Sequence, residues 1–239
     1  MRHAIILCEY SGVVAKAMRS SGKDLFAMSC DILPGELPVF HIQGDALTAL
    51  KAFQKESPWA LAGLHWPCTW FTNAGVKWMY IGGHSRNRFD PERRAAMEKS
   101  ADGLCEILNW LLEHGIPFYF ENPVMHSYAM EAIIRRCEWF SVADFCSVQP
   151  WNFGTWETKR TCLWLHKLPP LVPTYKTTEE CRIALGLPEF VEKDGVMVKN
   201  KPEAKCHKAS PGPNRGHERS RTLPTLAAAM AAQWGGPAE

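Results

Sequence analysis

The sequence predicts an α/β fold built on a mostly parallel seven-stranded sheet with helices on both faces. Apolar runs of strand length alternate with stretches of helical spacing along most of the chain. The chain also opens with an apolar run, a glycine-bearing turn and a helix, which is how nucleotide-binding units begin. With 239 residues, 46% of them hydrophobic, it has enough apolar material for one sizeable core.

The charge balance and the cysteines limit the class of protein. The formal net charge of +2 does not by itself indicate a polyanion partner. Evidence for a nucleic-acid partner must therefore come from the positions of the charged residues. Nine cysteines with no CxxC pair and no apolar leader predict free thiols in a reducing cytoplasm. No stretch approaches a membrane span, so we expect no membrane partner.

The first strand, residues 3–8, passes through the turn Glu9-Tyr10-Ser11-Gly12 into a helix that ends near residues 21–22. The second strand, residues 25–30, ends at Asp31. A carboxylate in that position suits the two ribose hydroxyls of an adenosine cofactor, because it can accept a hydrogen bond from each. A solvated loop aspartate is the equally open alternative.

A third strand, residues 40–43, leads to Asp45, which suits the N-cap of a helix over residues 46–53. A fourth, buried strand over residues 59–64 is followed by Pro67-Cys68. Ligands and chemistry collect beyond strand ends in open α/β sheets, and a proline stiffens the backbone that presents the thiol. An inert, buried cysteine is the alternative interpretation.

The second half of the chain continues the alternation of helices and strands. Asp90-Pro91 predicts a capped helix that ends at His114-Gly115, and the strand over residues 116–120 leads into Glu121-Asn122-Pro123. The remaining predictions are a helix over 127–136, a strand over 139–143, a basic turn entering a strand near 161–165, a hairpin around 193–195 and a helix over 223–234.

Two of these motifs carry a resemblance to a known family. Pro67-Cys68, Phe71-Thr72 and Ala74-Gly75 resemble, without a gap, the signature loop of the DNA cytosine-C5 methyltransferases, and Glu121-Asn122 resembles their second signature. Trp66, Thr69 and Pro123 depart from the usual residues at their positions. The compact chain looks like the small bacteriophage and prophage members of the family.

The resemblance implies a Rossmann-like class I S-adenosylmethionine-dependent methyltransferase fold and transfer of a methyl group to C5 of a flipped cytosine in double-stranded DNA. It implies a catalytic domain over 1–168, a small irregular target-recognition insertion over 169–213, and a C-terminal helix over 214–239 that returns to the catalytic domain. We expect a monomer without an obligatory protein partner, in the cytoplasm of the cell or of the phage host.

The resemblance also implies residue roles. Cys68 would add to the base, Glu121 would face its N3 edge, and Lys159 and Arg160 would be the cationic pair near base and phosphate. The residues expected to hold S-adenosylmethionine are Glu9, Tyr10, Ser11, Gly12, Asp31, Ile32, Asp45, Ala46, Pro67 and Thr222. Those expected to contact DNA are Thr69, Asn73, Lys77, Arg86, Arg88, Lys205 and Arg215, with Arg86 and Arg88 on a flap formed by residues 76–89.

Three alternatives stay open. The small recognition region allows an RNA or a free cytidine nucleotide as the substrate. The altered segment Glu157-Thr158-Lys159-Arg160-Thr161 allows a DNA-binding relative that has lost catalysis. A hydrolase that pairs Cys68 with His65 or His126 is a third possibility.

Overall fold

A seven-stranded sheet forms the centre of the computed structural model, which describes residues 1–22, 24–54, 58–84, 86–205 and 219–236. Its strands are β1 (Arg2–Leu7), β2 (Leu25–Asp31), β3 (His41–Gln43), β4 (Trp59–Leu64), β5 (Phe118–Asn122), β6 (Asp144–Val148) and β7 (Thr161–His166). Their order is β3-β2-β1-β4-β5-β7-β6. Only β7 runs antiparallel to its neighbours in this sheet. The predicted mostly parallel seven-stranded sheet is confirmed.

Helices cover both faces of this sheet, as predicted. They are α1 (Val13–Ser20), α2 (Ala46–Gln54), α3 (Pro91–Glu113), α4 (Ser127–Ile134), α5 (Thr178–Ala184) and α6 (Pro224–Trp234). Apolar side chains of α2, α3 and α4 form the core on one face, and those of α1 and α6 form the core on the other. On the second face the Trp234 ring of α6 stacks on Tyr119 of β5, with ring centroids 5.1 Å apart. The last helix therefore packs over the middle of the sheet.

The boundaries of α3 follow from its sequence. The Asp90 carboxylate accepts the N–H groups of Glu92 and Arg93, Pro91 occupies the first turn, and Gly115 follows the helix with φ +63°. These are the capping signals that predicted the helix. Because α3 begins at a fixed point, it also fixes the end of the long connection that follows the Cys68 segment.

The prediction of a strand over residues 139–143 is wrong. This stretch is a 3-10 turn, Glu138–Ser141, and the strand β6 begins only at Asp144. The apolar run there fills the core as a turn, with the Phe140 ring stacked on Trp164 at a centroid distance of 4.9 Å. A short apolar run has no periodicity that separates a strand from a buried turn.

The predicted hairpin around residues 193–195 is present as β8 (Phe190–Lys193) and β9 (Val196–Lys199). Asp194 and Gly195 both have positive φ, as a two-residue hairpin turn requires. The indole Nε1 of Trp156 donates to Asn200 Oδ1 at 3.1 Å, which links the end of the hairpin to the turn before β7. Over the described residues, no helix combines the length and apolar character that crossing a bilayer requires.

Candidate active site

Cys68 lies beyond the carboxyl end of β4, at the start of the 3-10 turn Cys68–Trp70. Pro67 precedes it with φ −53°. The backbone carbonyl of Cys68 accepts the N–H groups of Phe71 at 3.1 Å and Thr72 at 3.2 Å. The Phe71 side chain is fully buried. The half-buried thiol is therefore presented by a backbone that is held on both sides.

The Cys68 turn is joined directly to the segment that follows β5. The N–H of Asn73 donates to the carbonyl of Val124 at 2.9 Å, and Thr72 forms a β-bridge with Met125. Two stretches of sequence about fifty residues apart thus meet through backbone hydrogen bonds. The connection sets where Cys68 lies relative to the end of β5.

His126 strengthens this connection. Its backbone N–H donates to the carbonyl of Phe71 at 2.9 Å, and its Nε2 donates to the carbonyl of Trp70 at the same distance. Its Nδ1 accepts the N–H of Ala129 at 3.1 Å, which leaves both ring nitrogens engaged. Burial lowers the pKa of His126, so the ring stays neutral. His126 is a structural tie and offers no free base to Cys68.

Glu121 lies one residue before the end of β5, with Tyr119 on the same face of the strand. Its Oε2 is 3.9 Å from Nδ1 of His65, the residue that follows β4. The side chain of Glu121 is 17% exposed. Burial raises the pKa of Glu121, and the positive charge of Lys159 opposes that shift. The carboxyl is thus suited to carry a proton closer to neutral pH than a solvated glutamate does.

Cys68, Glu121 and Lys159 act on one another. Burial, followed by the Glu121 carboxylate, raises the pKa of the Cys68 thiol, while Lys159 and Arg219 lower it. The structure therefore brings together the predicted thiol, the predicted carboxyl and one of the two predicted cations. Arg219 is an addition that the site prediction lacked, although the basic run before α6 contains it.

The two predicted cations point in different directions. Lys159 Nζ donates to the carbonyl of Arg221 at 2.6 Å, beside the Cys68 site. Arg160 Nε instead donates to Ser147 Oγ of β6 at 2.8 Å. The structure thus does not gather Arg160 with Cys68 and Glu121. Neighbouring residues entering a strand face opposite sides, which separates the pair.

Glu9 shapes the first turn of the sheet from inside. Its Oε1 accepts the N–H of Val14 at 2.9 Å and the hydroxyl of Ser11 at 3.0 Å, at the N-terminus of α1. Burial raises the pKa of Glu9 to about 7, although these hydrogen bonds oppose the shift. Gly12 follows with φ +69°, and a Cβ there would lie 2.8 Å from Val39 Cγ2. Only glycine fits this turn without strain.

Residues before α6 pack against the same turn. Tyr10 is buried, and its hydroxyl lies 3.1 Å from Ser220 Oγ. Arg221 pairs with the Glu36 carboxylate at 2.5 Å, and Thr222 is buried. The predicted cofactor residue Tyr10 thus contacts the short segment before α6 that also carries Thr222.

Asp31 and Asp45 lie near one another at the carboxyl ends of β2 and β3. Burial, with Asp31 and Asp45 adding to it, raises the pKa of Cys30 to about 11. Asp45 Oδ1 accepts the N–H of Thr48 at 2.8 Å, so it caps α2 as predicted. Ile32, beside Asp31, is 75% exposed. The result is an apolar side chain next to carboxylates at the edge of the sheet.

The residues predicted to contact DNA are mostly on the surface. Lys205 Nζ pairs with Glu157 at 2.8 Å. Tyr80 and Phe89 stack at 4.9 Å and close the base of the segment that carries the flap arginines. The exposed residues of the predicted set are Thr69, Asn73, Arg86, Arg88 and Lys205. Of the remaining cofactor residues, Pro67 is exposed and Ala46 is buried. Arg215 and the Lys77 side chain lie outside the described part of the structure.

The fold and the site define an α/β protein with a thiol, a carboxyl and a lysine at the carboxyl edge of a mostly parallel sheet. No protein-family model and no curated protein matches the chain. Among solved structures it is similar to the Entamoeba histolytica methyltransferase EhMeth, with a TM-score of 0.42 and 11% identity over 71% of this chain and 54% of that one. It is also similar to a variant of Spodoptera frugiperda DNMT2, with a TM-score of 0.41 and 13% identity over 81% of this chain and 60% of that one. The chain thus spans less than two thirds of the length of either protein.

Proposed function

We propose that this protein is an S-adenosylmethionine-dependent methyltransferase that acts on C5 of cytosine in DNA. Cys68 is the nucleophile and Glu121 is the acid. The observation that supports this is that the thiol of Cys68 and the carboxyl of Glu121 share one electrostatic environment with Lys159. A reactive thiol and a proton-bearing carboxyl are the two groups that this chemistry requires.

Cytosine C5 becomes nucleophilic only after a group adds to C6. Cys68 Sγ forms the bond to C6, the ring electrons move toward N3, and Glu121 supplies a proton there. S-adenosylmethionine would supply the methyl group that C5 receives, and S-adenosylhomocysteine would be the leaving group. The C5 proton then leaves to a base, the Sγ–C6 bond breaks, and Glu121 takes back the N3 proton. The ring is restored and Cys68 is released as a thiolate.

The charges around Cys68 favour the reactive protonation states. An ionised Glu121 raises the pKa of the Cys68 thiol, so a protonated Glu121 removes that obstacle to thiolate formation. Lys159 and Arg219 lower the thiol's pKa, in opposition to burial, which is the largest influence and raises it. The two sites interact, so a thiolate beside a neutral carboxyl is a single protonation state of the pair. It is the state in which both groups can act.

The residues at the edge of β1, β2 and β3 fit an adenosine-type cofactor. The carboxylates of Asp31 and Asp45 can accept hydrogen bonds from hydroxyl and amino groups. The exposed side chain of Ile32 offers an apolar face to a base. Gly12 has a positive φ, and a Cβ there would meet Val39, so this turn between β1 and α1 requires glycine. These residues would hold S-adenosylmethionine.

DNA as the substrate is the finer part of the proposal. A base inside a duplex is inaccessible to Cys68, so the target cytosine must leave the stack. We assign the recognition of flanking sequence to residues 169–213, whose hairpin is attached to Trp156 near the site. The exposed Arg86 and Arg88 would contact phosphates and contribute the salt-dependent part of the affinity.

The proposal is tested by covalent trapping. A duplex carrying 5-fluorocytosine cannot lose its C5 substituent, so the enzyme should remain bonded to it when the methyl donor is present. We expect a denaturation-resistant adduct with the wild-type chain and none with Cys68→Ser. The matched control is Cys146→Ser, which replaces another half-buried free cysteine, on β6, and should retain the adduct.

Methyl transfer from a labelled donor is measured in parallel on duplex DNA, RNA and dCMP. We expect duplex DNA to be the acceptor, and Glu121→Gln to lower the rate by about 100-fold or more. Transfer to RNA or dCMP alone would refute the DNA assignment and leave the chemistry in place. A Glu121→Gln rate equal to that of the wild type would refute the role of this carboxyl.

A further inference from the structure

We propose that His65, held by Tyr119, is a positioning residue that directs a neutral N–H toward the Glu121 carboxylate. The effect of His65 on catalysis rests on the proposed function, whereas the contacts of His65 in the structure do not depend on any reaction. It uses three residues on one face of the sheet that the cysteine and glutamate signatures do not explain: His65, Tyr119 and Gly63.

The register of the central strands brings these residues together. Gly63 of β4 lies directly opposite Tyr119 of β5. A Cβ at Gly63 would lie 2.4 Å from the Tyr119 hydroxyl, so the phenol ring occupies the space that a side chain would fill. The hydroxyl thereby reaches His65, two residues beyond Gly63, and lies 2.9 Å from its Nε2. Glu121 follows Tyr119 by two residues on the same face.

The hydrogen bond between Tyr119 and His65 determines which ring nitrogen carries the proton. Tyr119 is fully buried, and burial raises the pKa of its hydroxyl well above the ordinary value, so it keeps its proton. A buried hydroxyl that donates to no acceptor is costly, and within the described structure His65 is the partner of this one. Tyr119 therefore donates to Nε2, and a neutral imidazole then carries its proton on Nδ1.

The imidazole of His65 remains neutral at all pH values well above 3. Burial, reinforced by the positive charge of Lys159, lowers the pKa of His65 to about 3. The Nδ1–H faces Glu121 Oε2 across 3.9 Å, which is longer than a hydrogen bond. Catalytic hydrogen bonds are often long in a free enzyme and shorten when substrate binds. A movement of about 1 Å would form the bond.

This arrangement matters because the Glu121 carboxyl gives up a proton during the proposed reaction. Lys159 is the charged group that favours its anion, and burial disfavours it. Of the other ionisable groups nearby, the Cys68 thiol interacts with Glu121, and Glu9 interacts with Tyr119. An N–H on Oε2 would stabilise the developing anion and leave the other oxygen toward the base. It does so without adding a charge that would compete with Lys159.

Two variants separate the hydrogen bond of His65 to Tyr119 from its longer contact with Glu121. The amide of an asparagine can take the place of Nδ1, so His65→Asn retains a donor toward Glu121. The longer His65→Gln places its amide where Nε2 lies and retains only the Tyr119 contact. We expect His65→Gln to lower kcat by about 10- to 100-fold with little change in KM, and His65→Asn to lower it much less.

The direct measurement is NMR titration of the protein labelled with ¹³C at glutamate carboxyls, with Glu121→Gln identifying the signal. Because an ionised carboxylate attracts the Nδ1–H more strongly than a neutral carboxyl does, we expect the Glu121 titration to move to higher pH in His65→Gln and to stay near the wild-type position in His65→Asn. The matched control is Tyr128→Phe. It removes a hydroxyl from a 2.9 Å hydrogen bond on the opposite face of the sheet and should leave the titration in place.

A second spectroscopic readout concerns the tautomer of His65. Its ¹⁵N shifts should show the proton on Nδ1 in the wild type and a change in Tyr119→Phe. A proton on Nε2, or equal Glu121 titrations in the asparagine and glutamine variants, would overturn the assignment. If the wild-type chain methylates no substrate, the proposed function fails, while both NMR measurements still decide the role of His65.

Discussion

Replacing Glu9 by Gln is expected to stabilise the free protein at pH 8 by about 3 kcal/mol. The Glu9 side chain is 4% exposed, and burial raises its pKa from the ordinary value of 4.5 to about 7. Because the folded protein binds the Glu9 proton more tightly than the unfolded chain does, the free energy of unfolding falls as pH rises between 4.5 and about 7. At about 1.36 kcal/mol per pH unit, that window corresponds to about 3 kcal/mol.

The amide oxygen of the glutamine can still accept the N–H of Val14, so the Glu9→Gln variant avoids the ionisation and keeps that cap. The free energy of unfolding is measured by urea titration at fixed pH values from 4 to 8, followed by tryptophan fluorescence. The difference from the wild type should be small at pH 4, grow through pH 6, and level off above pH 7. Glu106→Gln, on the exposed side of α3, is the matched control and should show no such rise.

A stability difference that does not vary with pH would refute this reasoning. So would a glutamine variant that is less stable than the wild type at pH 8 by more than it is at pH 4. Either result would mean that the hydrogen bonds to Glu9 offset the burial of its charge in full.

Three further substitutions test the site. Gly12→Ala should destabilise the fold by about 1–2 kcal/mol in urea unfolding, because of its positive φ and the contact with Val39; unchanged stability would show that the turn relaxes freely. His126→Gln should accelerate alkylation of Cys68 by iodoacetamide about fivefold, as peptide mass spectrometry would show, since it loosens the tie to the Cys68 turn. Lys159→Met should move that alkylation to higher pH, because Lys159 lowers the pKa of Cys68; an unmoved profile would remove Lys159 from the site.

The sequence was sufficient to predict the elements that carry strong local signals. The buried strand before Cys68 and the capped helix that begins after Asp90 are both present. Each is specified by a few neighbouring residues, through an apolar run or a cap. The positions of Cys68 beyond β4 and of Glu121 near the end of β5 also follow from local signals, because each comes after an apolar run.

The features of the site that the sequence did not predict depend on contacts between distant segments of the chain. His65 becomes a neighbour of Glu121 only through the pairing of β4 with β5, and pairing register is not written in either strand alone. The divergence of Lys159 and Arg160 likewise depends on where β7 begins. Arg219 acts on Cys68 across most of the chain's length in sequence, and a run of basic residues does not say which of them reaches the site.

The β-bridge between Thr72 and Met125 joins the segment after Cys68 to the segment after Glu121, so the two should move together. A chimera that took the loop around Cys68 from another protein would break its backbone hydrogen bonds to Val124 unless the segment after Glu121 came with it. If the proposed function holds, attempts to change which base is accepted should accordingly transfer or retain these two segments together.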